Sequence, residues 1–169
     1  MKHTLLRAPV VALLIATLAI AGCSRGGMNG GDAAAAGGFG AGGANDPSSP
    51  AYFNQVVGDR VLFAVDQSTL SPEAQNVLAG QAQWLLSNPE FTALIEGHAD
   101  EQGTREYNLA LGARRASAVR EYLVSRGVPD SRLRTISYGK ERPIQICSTE
   151  ACYSQNRRAV TVISAGAGV

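Results

Sequence analysis

The sequence has little of several features that would assign it to a specialised class of protein. Three cysteines in 169 residues exclude a small protein held together by a disulfide framework. Its charges nearly cancel, with 15 Lys and Arg against 14 Asp and Glu, which excludes an electrostatic nucleic-acid binder. An apolar run from Val10 to Ala21 is shorter than the roughly 20 residues that span a bilayer. What is abundant is glycine, with 19 residues, which indicates a chain of unlike parts.

Residues 1–22 have the features of a lipoprotein signal peptide. Lys2 and Arg7 give a basic start, and the apolar run that follows ends in Ile20–Cys23. A charged start, a short apolar core and small residues at its end are typical of a secretory signal. The last four residues resemble a bacterial lipobox, which implies cleavage before Cys23 and lipidation of its thiol. Ser24 after the cysteine implies sorting to the outer membrane, where several acyl chains anchor a protein without any spanning helix.

Residues 23–51 are predicted to be the lipidated cysteine and a flexible Gly/Ala-rich linker. The segment Ser24–Pro50 offers too little apolar area to offset chain entropy, and its 27 residues could extend on the order of 90 Å. A formal match to G-x-G-x-x-G at residues 38–43 is rejected, because no strand precedes it and no helix follows. The mature chain has 147 residues, with 13 basic and 14 acidic side chains, so its net charge is −1.

Residues 52–165 are predicted to form one α/β domain, with a mixed sheet of about four strands and helices packed on one face. The strand patterns run over residues 60–65, 92–98, 133–138 and 158–164. The helix signals are Ser71-Pro72 before a helix that ends at Asn88-Pro89, Gly103-Thr104 before a helix that ends at Gly127, and a short turn over 150–156. The order of the strands stays open.

Arg115 is the main anomaly of the second predicted helix. It lies in the middle of the apolar stripe that contains Leu111, Val119 and Leu123. An arginine on a core face is costly unless a partner satisfies it. One interpretation is a structural ion pair with a carboxylate on the sheet. The other is an anion clamp, because a guanidinium group binds a carboxylate bidentately.

Two aspartates follow predicted strand ends, at the edge where open α/β sheets usually bind ligands. They are Asp66 and Asp100, and the Arg115 side chain leans toward the helix start, on the side of Asp100. Asn108 lies on the same stripe one to two turns earlier. An aspartate that ends a strand also suits an ordinary turn, so both interpretations of Asp66 stay open.

Four segments of the domain resemble the OmpA-like peptidoglycan-binding domain family. They are Glu96–Thr104, Tyr107–Ala116, Ser137–Pro143 and Asn156–Val160. The resemblance covers about residues 58–164, nearly the whole domain. It implies the α/β fold of that family and non-covalent binding of the meso-diaminopimelate residue in the peptide stem of peptidoglycan.

The resemblance also implies a site and partners. The free end of diaminopimelate carries an ammonium and a carboxylate on one carbon, which Asp100 and Arg115 are expected to bind respectively. Asp66 and Leu111 are implied to line the same pocket, and Asn108 to support its geometry. No cofactor, metal site or catalytic residue is expected. For lipid-anchored members facing the periplasm, the implied partners are TolB and other Tol proteins, with roles in envelope integrity and outer-membrane constriction at cell division.

Cys147 and Cys152 lie in a loop in which many relatives lack cysteine. In an oxidising periplasm they most simply form a local disulfide, which stabilises the fold by about 2 kcal/mol in the chain-entropy model. A metal or redox role has less support, because the sequence does not offer the four ligands of a structural metal site and contains no C-x-x-C motif.

The alternatives are another OmpA-like wall-binding lipoprotein without a Tol partner, and a cell-wall hydrolase. Ser137 and Lys140 fit the S-x-x-K of penicillin-binding proteins, but the S-D-N and K-T-G partners are missing and the match ends a strand. His98, Asp100 and Glu101 could suggest acid–base chemistry or a zinc site. A single histidine supplies few of the ligands that zinc usually binds. The sequence therefore predicts a binding protein and not an enzyme.

Overall fold

The computed structural model describes residues 43–166, so the predicted signal peptide, Cys23 and most of the predicted linker lie outside the described residues. In chain order the elements are α1 (Pro50–Tyr52), which continues as a π-helical turn (Phe53–Gly58), β1 (Arg60–Leu62), α2 (Pro72–Ser87), β2 (Phe91–His98), α3 (Arg105–Ser125), a 3-10 turn (Asp130–Arg132), β3 (Leu133–Gly139), α4 (Glu150–Asn156) and β4 (Arg158–Ala165).

The four strands form one mixed sheet, which confirms the predicted fold class. Their order is β1-β4-β2-β3, with β4 antiparallel to both β1 and β2, and β2 parallel to β3. Because β2 and β3 are parallel, their carboxyl ends meet at one edge, where His98 is paired with Gly139. The loops that follow these two strands therefore begin side by side.

The helices begin at the capping residues that the sequence indicated. The Ser71 hydroxyl accepts a hydrogen bond from the Ala74 amide, and Pro72 occupies the first position of α2. The Thr104 hydroxyl accepts from the Tyr107 amide at 3.2 Å and so caps α3. Each cap satisfies a backbone donor that the first helical turn leaves without a partner.

The apolar core lies between the sheet and the helices α2 and α3. Along β2 the buried residues alternate with less buried ones, which indicates that one face of the sheet is covered more closely than the other. The largest apolar side chains that are 0% exposed are Phe53, Leu78, Leu85, Ile95, Val119 and Leu123. The helices therefore pack on one face of the sheet, as predicted.

Two glycines bring α3 into direct contact with β2. A Cβ atom on Gly97 would overlap the backbone carbonyl of Gly112, and one on Gly112 would overlap the Ser137 hydroxyl. Backbone atoms therefore occupy the space that any larger residue would need. This close approach holds the first half of α3 against the end of β2, which is where the candidate site residues lie.

Strand β1 is shorter than predicted. It ends at Leu62, whereas the sequence pattern continued to Val65. The Ala64 carbonyl turns inward and accepts a hydrogen bond from Arg115 Nη2 at 3.1 Å. Leu62 is paired with Arg158, the first residue of β4, so the ladder has no partner strand beyond this point.

Residues 43–51, which the sequence assigned to the linker, contact the domain. Ser49 is buried and accepts a hydrogen bond from the Tyr52 amide at 3.0 Å. The Trp84 indole donates to the Pro47 carbonyl at 2.7 Å. Residues 43–51 therefore pack on the domain through hydrogen bonds, which an argument from low apolar content does not detect.

Candidate functional site

A pocket of about 260 Å³ opens at the edge of the sheet where β2 ends. It is lined by Val65, Asp66, Asp100, Gln102, Gly103, Tyr107, Asn108, Leu111, Arg115 and Arg157. All five residues that the sequence singled out for binding are in this set. They come from the segment after β1, the loop after β2 and the first half of α3. The fold brings them together, and their role toward a ligand stays a prediction.

Asp100 is the buried carboxylate of the pocket, with 7% of its surface exposed. Its Oδ1 accepts a hydrogen bond from the Gln102 amide at 3.1 Å, and its Oδ2 accepts one from Arg157 Nη1 at 3.2 Å. An ionised carboxylate has about four acceptor positions. Asp100 is therefore held in one orientation and retains acceptor capacity for a donor on a ligand.

Arg115 is fully buried, and backbone carbonyls satisfy its charge. Its Nε donates to Gln67 O at 2.8 Å, Nη1 to His98 O at 2.8 Å and Nη2 to Ala64 O at 3.1 Å. Within residues 43–166 it makes no ion pair, so the structural ion pair that the sequence left open is not what stabilises it. An arginine has five N–H donors, so each terminal nitrogen keeps one that these bonds do not use.

The electrostatic environment of Arg115 leaves it charged. Burial lowers the pKa of Arg115 to about 10, while the negative charges of Asp100 and Asp66 oppose that change. Its guanidinium carbon also lies 5.2 Å from the centre of the Phe63 ring. A buried, oriented positive charge at the wall of a pocket favours binding of an anion.

Asp66 is an exposed residue of the pocket lining. Its backbone has a φ of 55°, in the left-handed region that aspartate tolerates better than most residues. The Tyr107 hydroxyl donates to its carboxylate. Asp66 is therefore both a turn residue and a pocket carboxylate, so the two interpretations left open by the sequence are compatible.

Asn108 and Leu111 are buried residues on the pocket face of α3. Asn108 Nδ2 donates to the Gln102 carbonyl at 2.7 Å. That bond ties the loop after β2 to the helix and so fixes the loop that carries Asp100. Leu111 supplies an apolar part of the lining.

Arg157 is a site residue that the sequence argument missed. It is 4% exposed and donates from Nε to the Phe63 carbonyl at 3.2 Å, besides its bond to Asp100. It also pairs with Glu150. The available signal in the sequence is the Asn156-Arg157-Arg158 run, which belongs to one of the segments that resemble the OmpA-like family.

A disulfide joins Cys147 and Cys152, the pairing that the sequence predicted, with 5.8 Å between their Cα atoms. The closed loop contacts Glu101, the neighbour of Asp100, and the pocket residue Arg157. Ser148 Oγ donates to Glu101 Oε1 at 2.6 Å, and the Tyr153 hydroxyl donates to the same oxygen at 2.9 Å. These hydrogen bonds, with the Ser148 bond the larger cause, lower the pKa of Glu101.

His98 contributes its backbone to the site and not its ring. Its carbonyl accepts from Arg115, while the imidazole is buried and neither nitrogen has a hydrogen-bond partner in the described part of the chain. Burial, together with the charges of Arg158 and Arg142, lowers the pKa of His98 to about 4. The ring is therefore neutral at pH 7, and its 3.6 Å approach to Glu96 is not an ion pair at that pH.

Comparisons with known proteins agree with this architecture. A family model described as "OmpA family" matches residues 62–157. The chain is 56% identical over 166 residues to a "Peptidoglycan-associated lipoprotein" of Rhizobium meliloti, covering 98% of this chain and 93% of that one. It is 52% identical over 169 residues to a protein of the same name from Brucella melitensis, covering 98% and 97%.

A solved structure has the same fold. It is the peptidoglycan-associated lipoprotein of Burkholderia pseudomallei, which matches with a TM-score of 0.64 and 42% identity over 72% of this chain and 98% of that one. Among residues 43–166, no helix combines the length and the hydropathy needed to cross a membrane. The family match spans more than half of the chain, and the relatives match along nearly its whole length. The chain therefore belongs to the OmpA family.

Proposed function

We propose that this protein is an outer-membrane lipoprotein that binds peptidoglycan non-covalently through the diaminopimelate residue of the stem peptide. The observation that carries the proposal is the pairing of a buried carboxylate, Asp100, with a buried guanidinium, Arg115, in one pocket. The names of the relatives and the family match support peptidoglycan as the ligand.

The head group of diaminopimelate fits this pair chemically. Its ammonium and carboxylate lie on one carbon, so a binding site needs an anion and a cation a few ångströms apart. Asp100 binds the ammonium with its remaining acceptor positions, and Arg115 donates to the carboxylate from the two N–H groups that its carbonyl partners leave. Asp66 adds negative charge on the ammonium side, and Leu111 contacts the methylene chain.

The pocket supports binding rather than catalysis. Ser137 Oγ donates to the Leu109 carbonyl at 2.6 Å, and Lys140 Nζ donates to the Gly103 carbonyl at 2.7 Å. Both members of the S-x-x-K match thus have backbone partners, and neither is arranged as a nucleophile with its base. We infer that the protein holds the cell wall and does not cleave it.

The remaining parts of the proposal concern location and partners. Lipidation of Cys23 anchors the protein to the outer membrane, and the domain faces the periplasm. We propose that it works with TolB and other Tol proteins to maintain envelope integrity and to constrict the outer membrane at division. A TolB pull-down in which wall fragments compete separates this proposal from that of a wall-binding lipoprotein without a Tol partner.

Co-sedimentation with purified sacculi tests wall binding. The full chain in detergent is expected to pellet with sacculi, whereas Asp100→Asn is expected to stay in the supernatant, because the amide removes the charge that binds the ammonium. Asp130→Asn is the matched control, since it makes the same change at an exposed site on the 3-10 turn.

Three other outcomes would contradict parts of the proposal. Pelleting of Asp100→Asn like the unmodified protein would overturn the site. Failure of the unmodified protein to pellet would overturn wall binding. Release of soluble muropeptides would show a hydrolase.

A further inference from the structure

Arg157 stands between two carboxylates, and one of them belongs to the loop closed by the disulfide. Arg157 Nη1 donates to Asp100 Oδ2 at 3.2 Å and to Glu150 Oε2 at 3.4 Å, while Nη2 donates to Glu150 Oε1. The pair with Glu150 is therefore bidentate, whereas Asp100 receives a single bond. The hydrogen bonds from Arg157 lower the pKa of Glu150, which keeps that carboxylate ionised.

The disulfide loop controls where Glu150 can lie. Glu150 is the first residue of α4 and falls between Cys147 and Cys152. A cross-link over so few residues removes most of the alternative positions of the enclosed chain. The neighbouring Ser148 is tied to Glu101, so the loop has two contacts with the rim of the pocket.

Arg157 opposes the binding of a cation by Asp100, because its own charge already neutralises that carboxylate. The two buried arginines of the site, Arg115 and Arg157, balance the charges of Asp66 and Asp100. Glu150 adds one further negative charge, and its bidentate pairing offsets part of the positive charge that Arg157 presents to Asp100. A site with an excess carboxylate favours a ligand ammonium.

We propose that Glu150, held in place by the Cys147–Cys152 loop, is a positioning residue that neutralises Arg157 and so makes Asp100 available to a ligand ammonium. This inference rests on the proposed function. Glu150 selects ligands that carry an ammonium beside the carboxylate over ligands that carry the carboxylate alone. The loop with its two cysteines is thus a specificity element of the site.

Titration calorimetry of the full chain with two synthetic stem peptides tests the proposal. One peptide carries meso-diaminopimelate, and the other carries 2-aminopimelate, which keeps the side-chain carboxylate and lacks its ammonium. In Glu150→Gln, affinity for the first is expected to fall by about threefold, in the range of one exposed ion pair. Affinity for the second is expected to rise, because the site becomes less negative.

Three further variants complete the design. Glu150→Asp keeps the charge and is expected to restore part of the preference, and Glu121→Gln, on the far part of α3, is the matched control. The double variant Cys147→Ser with Cys152→Ser is expected to change the affinity ratio as Glu150→Gln does. Combined with Glu150→Gln, it should change the ratio no further.

The outcomes separate the inference from the proposed function. Equal weakening of both peptides, or no change in their ratio, would overturn the role of Glu150 and leave wall binding intact. Failure of the unmodified protein to bind the diaminopimelate peptide would overturn the proposed function and this inference with it.

Discussion

The pocket and the aromatic cluster at the opposite side of the core are both buried, but for different physical reasons. In the aromatic cluster, Trp84 lies between Phe53 and Phe91, with ring centroids 4.9 and 5.1 Å away. In the pocket, the largest buried side chains are Arg115 and Arg157, which are 0% and 4% exposed. Apolar area stabilises the cluster, whereas the arginines are tolerated only because each finds oxygen partners.

We therefore expect the aromatic cluster to contribute mainly to stability and the pocket mainly to ligand recognition. Removing apolar volume is expected to lower the free energy of unfolding and leave ligand binding unchanged in the molecules that remain folded. Removing a charge in the pocket is expected to weaken ligand binding and to change the free energy of unfolding little. The variants below change three places: the contact between α3 and β2, the apolar core, and the end of β2 behind the pocket.

Gly97→Ala changes the contact between α3 and β2 and is expected to have the largest effect on stability. The new Cβ atom overlaps the Gly112 carbonyl, and neither backbone can move unless α3 separates from β2. We expect a loss of about 4 kcal/mol in the free energy of unfolding, measured by urea denaturation, with loss of sacculus binding. The matched control is Gly127→Ala. Apart from its chain neighbours, the new Cβ atom there would have no atom of residues 43–166 within 4 Å, but φ is 97°, so a smaller loss from backbone strain is expected. Equal losses would show that close packing of α3 on β2 is not the cause.

Leu78→Ala acts on the core alone. Leu78 is 0% exposed, and its truncation is expected to cost about 3 kcal/mol in the free energy of unfolding, because a cavity remains. Leu86→Ala makes the same change on the same helix at a residue that is 48% exposed, and a loss near zero is expected. Both variants should bind sacculi as the unmodified protein does at temperatures where they are folded. Loss of binding in folded Leu78→Ala would contradict the separation of the two regions.

His98 makes the sheet end behind the pocket sensitive to acid. Its pKa is about 4 in the folded protein, against 6.5 for the free side chain, so the unfolded state takes up the proton first. Stability from this residue is therefore complete above pH 6.5 and is lost as the pH falls toward 4. The loss amounts to about 3 kcal/mol.

Replacement of the ring provides the check. In His98→Phe, the decrease in unfolding free energy between pH 7 and pH 4 is expected to be about 3 kcal/mol smaller than in the unmodified protein. Denaturant titrations at pH 7, 5.5 and 4 measure it. Parallel curves for the two proteins would mean that His98 is protonated equally in both states.

Local sequence signals were sufficient for the helices and for singling out Arg115 and Asp100, whereas the full pocket set, with Leu111, followed from the family resemblance. Ser71 and Thr104 cap their helices through short-range contacts, and helical periodicity placed Arg115 on the core face. Asp100 follows from the end of a strand. Each of these features depends on residues close in the sequence or on a regular repeat.

Features that depend on long-range contacts were not predictable in this way. Arg157 is buried because its partners include the Phe63 carbonyl, 94 residues earlier in the chain, and the side chain of Asp100. The end of β1 depends on where its partner strand β4 begins, and the contact of residues 43–51 with the domain includes a hydrogen bond from the Trp84 indole. Each of these features depends on contacts between residues far apart in the sequence, which composition does not reveal.

The most direct test of the account is the affinity of the full chain for a stem peptide with meso-diaminopimelate, compared with the same peptide carrying lysine at that position. Lysine keeps an ammonium and lacks the adjacent carboxylate, so it tests the pair formed by Asp100 and Arg115. The account predicts that the unmodified protein binds the diaminopimelate peptide at least about tenfold more tightly, the range of a lost charge-assisted hydrogen bond. In Asp100→Asn both affinities should fall and the preference should remain, because both peptides carry the ammonium and Arg115 still binds the carboxylate. Equal affinity of the unmodified protein for the two peptides would contradict recognition by this pair.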